Sequence, residues 1–318
     1  MSTSLLILAF NEEKNISTLI DNFIGEFSNV IVVNDASKDR TKKILDDLSL
    51  KNEKLLIINN EKNYGAGKSF QIGVEAFLNL TSENLVKIDG DGQFEGRDIL
   101  KIKELLETNN FDYVRCDRFW SGGIVGKIPN IRYLGNSLAS LLIKFSTGVW
   151  NLNDPLNGLY GMKKSTLTNF QIPKMFNRYG YPYFVSNFFA YLGYTENIKI
   201  AQIKNTITYG DEDSNLNPIK MLFKLPYFVI KNFYSKIKFK LRFSSLQVSG
   251  LLEMISNIFL FSSLFSIFRF IQIRYFQSLG PQGNWFILFI IFIVLFFLLN
   301  ISSQSRLNKL SEDFFEEI

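Results

Sequence analysis

Three side chains with oxygen ligands alternate along the segment from Asp89 to Gln93, which reads Asp-Gly-Asp-Gly-Gln. Alternate acceptor side chains on a tight glycine-containing turn point the same way and can hold a hard divalent cation, with other positions left for water and phosphate. An EF-hand loop begins similarly, but it needs glycine and glutamate where this chain has Phe94 and Leu100. The segment therefore predicts an open metal site, and a solvated acidic turn is the alternative interpretation.

The composition excludes several other kinds of chemistry. The 318 residues include no histidine and one cysteine, Cys116, so imidazole catalysis, His-based zinc sites and a disulfide framework are excluded. The thiol of Cys116 is expected to be buried and structural. The segment Gly65 to Ser69 imitates the end of a P-loop, but the upstream glycine of such a loop would fall at Lys62, which argues against ATP hydrolysis. Catalysis must therefore use carboxylates, amides, cations and a metal.

The first hundred residues alternate between short apolar runs and helical patterns. The apolar runs cover 5–8, 30–33, 55–58 and 85–88, and the helical patterns cover about 14–27, 40–49 and 67–80. Apolar runs without polar alternation are typical of strands buried on both faces of a parallel sheet. The order β-α-β-α-β-α-β predicts an open, doubly wound, mostly parallel α/β sheet.

Ligands bind such sheets outside the carboxyl ends of the strands. Three of the four predicted strands end in acidic or amide residues, in the segments 10–12, 34–37 and 89–93. These segments are therefore expected to meet at one edge of the sheet and to form the site.

The second half of the chain predicts membrane attachment. Residues 227–242 form a basic amphipathic pattern suited to an anionic membrane surface, with a core-packing helix as the alternative. The runs 251–271 and 283–301 approach the roughly 20 residues of a spanning helix. Several lysines precede the first run, whereas the loop 272–284 contains Arg274 as its one basic residue. The positive-inside rule therefore predicts a multi-pass membrane protein whose large domain and both termini lie in the cytoplasm. No signal peptide is predicted.

The predicted organisation has four parts. They are a cytoplasmic catalytic domain over 1–217, amphipathic interfacial helices over 218–248, two transmembrane helices over 249–301 and a short cytoplasmic tail over 302–318. The formal charge of +5 suits nucleic acid, anionic lipid or phosphorylated substrates alike. Because the basic residues cluster beside the apolar anchor, lipid is favoured and nucleic acid is not expected as a partner.

Four segments resemble motifs of the family-2 glycosyltransferases. Ala9 to Ile16 is similar to their opening motif, Val33 to Thr41 to the second-strand motif, and Asn63 to Gly67, followed by Gly73, to the third. The segment from Asp89 to Gln93 resembles the Asp-x-Asp-x-Gln form of dolichol-phosphate mannose synthases and bacterial polyprenyl-phosphate glycosyltransferases. The resemblance implies a GT-A-type, Rossmann-like fold, a nucleotide-sugar donor and Mg²⁺ or Mn²⁺ as cofactor.

The resemblance also implies roles for individual residues. It places the metal on Asp89, Asp91 and Gln93, and contacts to the nucleotide-sugar on Ala9, Phe10, Asn11, Glu12, Asp35, Lys68, Asp89 and Gly90. The implied catalytic residues are Asp91, Gln93, Arg118 and Arg132, and the implied acceptor-binding residues are Arg118, Arg132, Asn136 and Ser214. For Lys68 a surface lysine is the alternative, and for Arg118 and Arg132 a surface or salt-bridged arginine is the alternative.

The acceptor implied by the resemblance is a polyprenyl phosphate, whose phosphate is mostly a dianion at cytosolic pH and needs no general base. Where many family members carry a glutamate, this chain has Ser186 and Asn187, which weakens any assignment of a carboxylate base. A saccharide or other hydroxyl acceptor is the second reading, and an inactive nucleotide-sugar-binding scaffold on the membrane is the third. The sequence leaves a homo-oligomer open.

Overall fold

The computed structural model describes residues 2–108, 110–120, 124–125, 130–167, 170–178, 180–208, 237–275 and 280–318. The chain divides into two compact units. The first comprises Met1–Lys144, Asn151–Leu216 and Phe314–Ile318, and the second comprises Phe145–Trp150 and Asn217–Asp313.

The first unit is built on an eight-stranded mixed sheet. Its strands are β1 (Thr3–Ala9), β2 (Asn29–Asn34), β3 (Leu55–Asn59), β4 (Asn84–Asp89), β5 (Tyr113–Asp117), β7 (Tyr160–Lys163), β8 (Ile200–Lys204) and β10 (Phe315–Glu317). They lie in the order β10-β8-β5-β7-β4-β1-β2-β3. Two short strands, β6 (Ile124–Val125) and β9 (Ile207–Thr208), pair separately and in parallel. All pairings of the large sheet are parallel except those of β7, which runs antiparallel to both β4 and β5.

The helices of the first unit lie on both faces of this sheet. They are α1 (Ile16–Phe23), α2 (Thr41–Ser49), α3 (Ala66–Leu78), α4 (Gly96–Glu107), α6 (Tyr181–Glu196) and most of α5 (Asn130–Thr147). The apolar faces of α1 and α4 share one core cluster with Leu5 and Ile7 of β1. On the other face Gly73 of α3 fits directly against Leu6, since an added Cβ would lie 2.4 Å from Leu6 Cδ1.

The strand and helix positions predicted for the first hundred residues are confirmed. The prediction of burial on both faces is wrong for β3, because it is an edge strand in which Leu56 is exposed. All seven residues of β1 are buried, as are five of the six residues of β2, which explains why both strands lack polar alternation. Two features were not predicted. The antiparallel strand β7 is inserted between β4 and β5, and residues 315–317, predicted to lie in a tail, form β10 and pair with β8.

The second unit contains two long helices that pack against each other, α7 (Gln247–Tyr275) and α8 (Gln282–Ser311). Each is long and apolar enough to cross a membrane, judged by length and composition. Their exposed positions are largely apolar. Glu253 of α7 is buried, and its Oε1 accepts from Lys240 Nζ, which precedes α7, over 2.7 Å and from Ser303 Oγ of α8 over 3.1 Å. Of the predicted amphipathic helix, residues 237–240 are helical, and 227–236 lie outside the described residues.

Candidate active site

The loops that follow β1 and β2 are joined to each other by hydrogen bonds. Asn11 has a left-handed backbone with φ of 61°, its N–H donates to Ser37 Oγ over 2.9 Å, and its side-chain oxygen accepts from the N–H of Lys38 over 2.8 Å. The N–H of Glu12 donates to Thr41 Oγ1 over 2.8 Å. These contacts fix the first two motifs at the carboxyl edge of the sheet, next to each other as predicted.

Asp35 is buried, and its carboxylate organises the loop that follows β3. Its Oδ1 accepts from Asn60 Nδ2 over 2.8 Å and from the N–H of Tyr64 over 2.9 Å, while Oδ2 accepts from the N–H of Gly65 over 2.8 Å. A carboxylate that accepts several such bonds holds the surrounding backbone in one conformation. Asp35 therefore connects the second motif to the third, and any contact with a nucleotide must share these oxygens.

The turn from Asp89 to Gln93 begins where β4 ends, beside the end of β1. Asp89 pairs with Leu8 in the register of the two strands, and the N–H of Gly90 donates to Leu8 O over 2.9 Å. A side chain at position 90 would lie 2.9 Å from that oxygen and 3.3 Å from Glu12 Cγ, so the glycine allows the turn to approach β1. The turn and Glu12 are consequently neighbours, as the sequence predicted.

Asp91 and Gln93 lie on this turn and are both partly exposed. The N–H of Gln93 donates to Asp91 Oδ1 over 3.1 Å, and Gly92 has a φ of 72° that keeps the turn tight. Within the described part of the chain, no three His, Cys, Asp or Glu side chains are grouped so as to enclose a metal ion. A carboxylate and an amide oxygen are nevertheless ligands that suit Mg²⁺ or Mn²⁺, which commonly takes one or two carboxylates together with substrate phosphates. The residues therefore fit an open metal site.

Lys87 is a residue that the sequence reading missed. It lies on β4 with no exposed surface, and its Nζ donates to Asp89 Oδ1 over 2.6 Å and to Gly158 O over 3.0 Å. Burial is the largest single influence on the pKa of Lys87 and lowers it. The charge of Asp89, the interaction with Tyr181 and the hydrogen bonds to both side chains together outweigh burial and raise that pKa above its ordinary value. The signal was a lysine inside an apolar run that was taken to be buried on both faces.

The segment from Asp154 to Gly158 lies against the same turn. Because β7 runs antiparallel beside β4, the residues that precede β7 return to the carboxyl end of β4. There Gly158 packs so closely that an added Cβ would lie 2.1 Å from Asp89 Oδ2. This segment therefore helps to form the wall of the site, which its position in the sequence does not reveal.

Arg118 and Asp154 form a buried ion pair. Arg118 Nη2 donates to Asp154 Oδ1 over 2.9 Å, and Asn157 Nδ2 donates to Asp154 Oδ2, also over 2.9 Å. Arg115, a second buried arginine, donates from Nη2 to Asp154 O over 2.6 Å, while its Nε and Nη1 have no hydrogen-bond partner among the described residues. Arg118 thus forms the salt bridge that was named as an alternative to its role in binding the acceptor. If Arg118 also binds the acceptor, it must do so while it is paired with Asp154.

The remaining predicted residues are more scattered. Arg132 lies in the first turn of α5, and Asn136 one turn further is buried with no partner for Nδ2 among the described residues. The N–H of Lys68 donates to Asn177 O over 2.9 Å at the start of α3. Phe10 is exposed beyond the end of β1. Ser214 lies outside the described residues.

Residues 4–157 match the model of the family described as Glycosyl transferase family 2. A UDP-N-acetylglucosamine–dolichyl-phosphate N-acetylglucosaminyltransferase of Methanococcus voltae is 30% identical over 176 residues, which cover 51% of this chain and 70% of that protein. A dolichyl-phosphate beta-glucosyltransferase of Trichomonas vaginalis is 32% identical over 34% of this chain and 35% of its own length.

Among solved structures, glucosyl-3-phosphoglycerate synthase from Mycobacterium tuberculosis superimposes with a TM-score of 0.50 at 17% identity, covering 74% of this chain and 79% of that one. At this identity the likeness concerns the fold, and it agrees with the predicted GT-A type. The matched residues 4–157 contain the four motifs and the turn from Asp89 to Gln93. The chain is therefore a glycosyltransferase and belongs to glycosyl transferase family 2.

Proposed function

We propose that this protein transfers a sugar, with inversion, from a nucleotide-sugar donor to a polyprenyl phosphate at the cytoplasmic face of a membrane. The main support for a nucleotide-sugar donor is the position of the turn from Asp89 to Gln93 at the carboxyl end of β4, next to Glu12, which follows β1. Nucleotides bind α/β sheets at this edge. The Methanococcus voltae relative is named for a UDP-sugar donor, and the solved structure of similar fold was obtained with Mn²⁺ and UDP-glucose.

Each polar group of this edge has a place in the proposed reaction. Glu12, Asp35, Asp89 and the backbone of residues 9–11 and 90 would orient the base and ribose, and Lys68 at the start of α3 would contact a phosphate. A divalent cation on Asp91 and Gln93, with Asp89 beside it, would stabilise the negative charge of the departing diphosphate. The rigid loops around Asn11 and Asp35 reduce the ordering that donor binding requires.

The acceptor half rests on the relatives and on the residues that the family resemblance assigns to the acceptor. Two relatives are named for dolichyl phosphate as acceptor. Arg132 in the first turn of α5, Asn136 in the second and Ser214 would bind the phosphate. Arg118 would contribute through N–H groups that its bonds to Asp154 do not use. A phosphate dianion attacks without losing a proton to the protein, which agrees with Ser186 and Asn187 in α6, where many family members carry a glutamate.

The membrane location rests on α7 and α8. Both helices exceed the roughly 20 residues that cross a hydrocarbon core, and most of their exposed large side chains are apolar. After α8 the chain pairs with the sheet of the first unit as β10, which supports a final segment on the same side of the membrane as the catalytic unit. Two crossings joined near residues 276–281 agree with this placement, with both termini in the cytoplasm.

The proposal is tested with membranes that contain the full chain. Nucleotide-sugars carrying UDP, GDP and CDP are each incubated with polyprenyl phosphate, the matching polyprenol or a free saccharide, with and without Mn²⁺ or Mg²⁺. Mass spectrometry of the lipid and aqueous fractions is expected to show one product, a glycosylated polyprenyl phosphate that requires the metal. Equal or better transfer to the uncharged acceptors would replace the acceptor half of the proposal with a hydroxyl acceptor.

A further inference from the structure

The lysine inside β4 is an uncommon feature for a strand at the centre of a sheet. Lys87 has no exposed surface, and its neighbours Val86 and Ile88 are equally buried. Removing an ammonium group from water is costly unless it is paired and hydrogen-bonded. A methionine or leucine would fill the same position without that cost, so the charge itself requires an explanation.

The contacts of Lys87 connect the end of β4 to the segment before β7 and to two tyrosines. Its Nζ lies 2.6 Å from Asp89 Oδ1 and 3.0 Å from Gly158 O. The same atom lies 5.5 Å from the centroid of the Tyr160 ring and 5.3 Å from that of Tyr181. Backbone, carboxylate and two aromatic rings thus surround the ammonium group, and they keep water from competing for the bond to Asp89.

This arrangement holds the carboxylate of Asp89 from two sides. Residues two apart on a strand point to the same face, so Lys87 reaches Asp89 along its own strand. On the other side, the absent side chain of Gly158 leaves room for Oδ2, which would lie 2.1 Å from a Cβ at that position. Asp89 itself remains partly exposed at the end of β4, where a donor would meet it.

We propose that Lys87 is a positioning residue that fixes the carboxylate of Asp89 in the orientation required for the nucleotide-sugar donor. The inference rests on the proposed donor and is independent of the acceptor. A carboxylate already fixed by a charge-assisted bond loses little freedom when the donor binds, so its interaction with the donor is stronger than that of a mobile carboxylate. The bond to Gly158 O extends this arrangement to the segment before β7.

The alternative is that Lys87 stabilises the sheet and affects binding through the fold in general. A double-mutant cycle separates the two roles, because a residue that acts through Asp89 loses its effect once that carboxylate is gone. The cycle uses Lys87→Met, Asp89→Asn and the double variant, all in the purified full chain. Lys163→Met is the matched control, since Lys163 of β7 forms a lysine–aspartate pair with Asp112 in the same sheet, with Nζ 3.0 Å from Oδ1.

The readout is the dissociation constant of UDP, GDP and CDP, each with Mn²⁺, measured by calorimetry, with thermal unfolding recorded for every variant. Lys87→Met is expected to weaken binding of the nucleotide that the wild type prefers by about 10- to 100-fold, because it removes a hydrogen bond to a charged group. In the Asp89→Asn background the same change should weaken binding by less than about threefold, and Lys163→Met should have no effect. In turnover assays the KM for the donor should rise while the KM for the acceptor stays unchanged.

Equal weakening in both backgrounds, or no weakening by Lys87→Met, would overturn the positioning role. Lys87→Gln retains a donor for Gly158 O without the charge, and it carries the same test if the methionine variant fails to fold. A wild type that binds a nucleotide but does not modify polyprenyl phosphate refutes the proposed acceptor and leaves the cycle intact. A wild type that binds none of the three nucleotides refutes the proposed donor, and the role of Lys87 with it.

Discussion

Arg118 Nε lies 2.8 Å from Asp154 Oδ2, and the two side chains are 7% and 0% exposed. The pair connects the end of β5 to the segment that packs against Asp89. Asn157 adds a third polar group, so the negative charge of Asp154 is neutralised and hydrogen-bonded inside the protein. This geometry makes Arg118 important for stability whatever it contributes to the acceptor.

Arg118→Ala should destabilise the protein by about 3–5 kcal/mol, because it leaves the charge of Asp154 buried without its partner. Lys163→Met, which breaks a more exposed pair, should cost about 0–1 kcal/mol. Both values come from denaturant unfolding of the full chain followed by tryptophan fluorescence. If Arg118→Ala unfolds with the wild-type midpoint and instead raises the KM for polyprenyl phosphate, the residue serves the acceptor and not the fold.

Asp91→Asn should nearly abolish transfer while leaving the unfolding midpoint unchanged. One neutralised ligand weakens the stabilisation of the leaving diphosphate, whereas the partly exposed side chain contributes nothing to the core. Turnover is measured over a range of Mn²⁺ and Mg²⁺ concentrations. Wild-type turnover at saturating metal would show that the cation lies elsewhere.

Gly158→Ala should raise the KM for the donor about tenfold, because overpacking of a close contact typically costs about 1–3 kcal/mol. The added Cβ would overlap Asp89 Oδ2 at 2.1 Å and force the carboxylate to move. Gly25→Ala is the control, since a Cβ there meets nothing within 4 Å. An unchanged donor KM in Gly158→Ala would mean that the position of Asp89 does not matter for binding.

The topology is tested with single cysteines in a Cys116→Ser background. Gly283 at the start of α8 is exposed and has open space for a side chain, so Gly283→Cys should react with an impermeant maleimide added outside intact cells. Glu312 lies just after α8 and is exposed at the other end of the helix, so Glu312→Cys should react only after the cells are lysed. The reverse pattern, or equal labelling of both, would refute two crossings with a cytoplasmic catalytic unit.

The rate of transfer should follow the ionisation of the acceptor. The second pKa of a phosphate monoester is about 6. As the pH increases past this value, kcat/KM for polyprenyl phosphate is therefore expected to rise and then remain constant. The sign follows from the nucleophile, because the dianion reacts and its fraction grows as the pH increases. A rate that continues to rise at higher pH would indicate a protein base and therefore a hydroxyl acceptor.

The sequence by itself determined the strands, helices and turns of the first hundred residues. Apolar runs such as Val30 to Val33 indicate strands buried on both faces, and glycine and acidic residues mark where they end. The turn from Asp89 to Gln93 could be recognised as a candidate metal site because its residues are adjacent in the chain. These features depend on local spacing, and the structure agrees with them.

The tertiary structure decided which distant residues meet. Gly158 reaches Asp89 because β7 pairs antiparallel with β4, and no local pattern specifies that pairing. The ammonium group of Lys87, which lies in an otherwise apolar strand, is surrounded by Asp89, Gly158 and two tyrosine rings. The pairing of β10 with β8 joins segments more than a hundred residues apart. Such contacts arise from the packing of the whole chain, since the free energy of a buried charge depends on its neighbours in space and not in sequence.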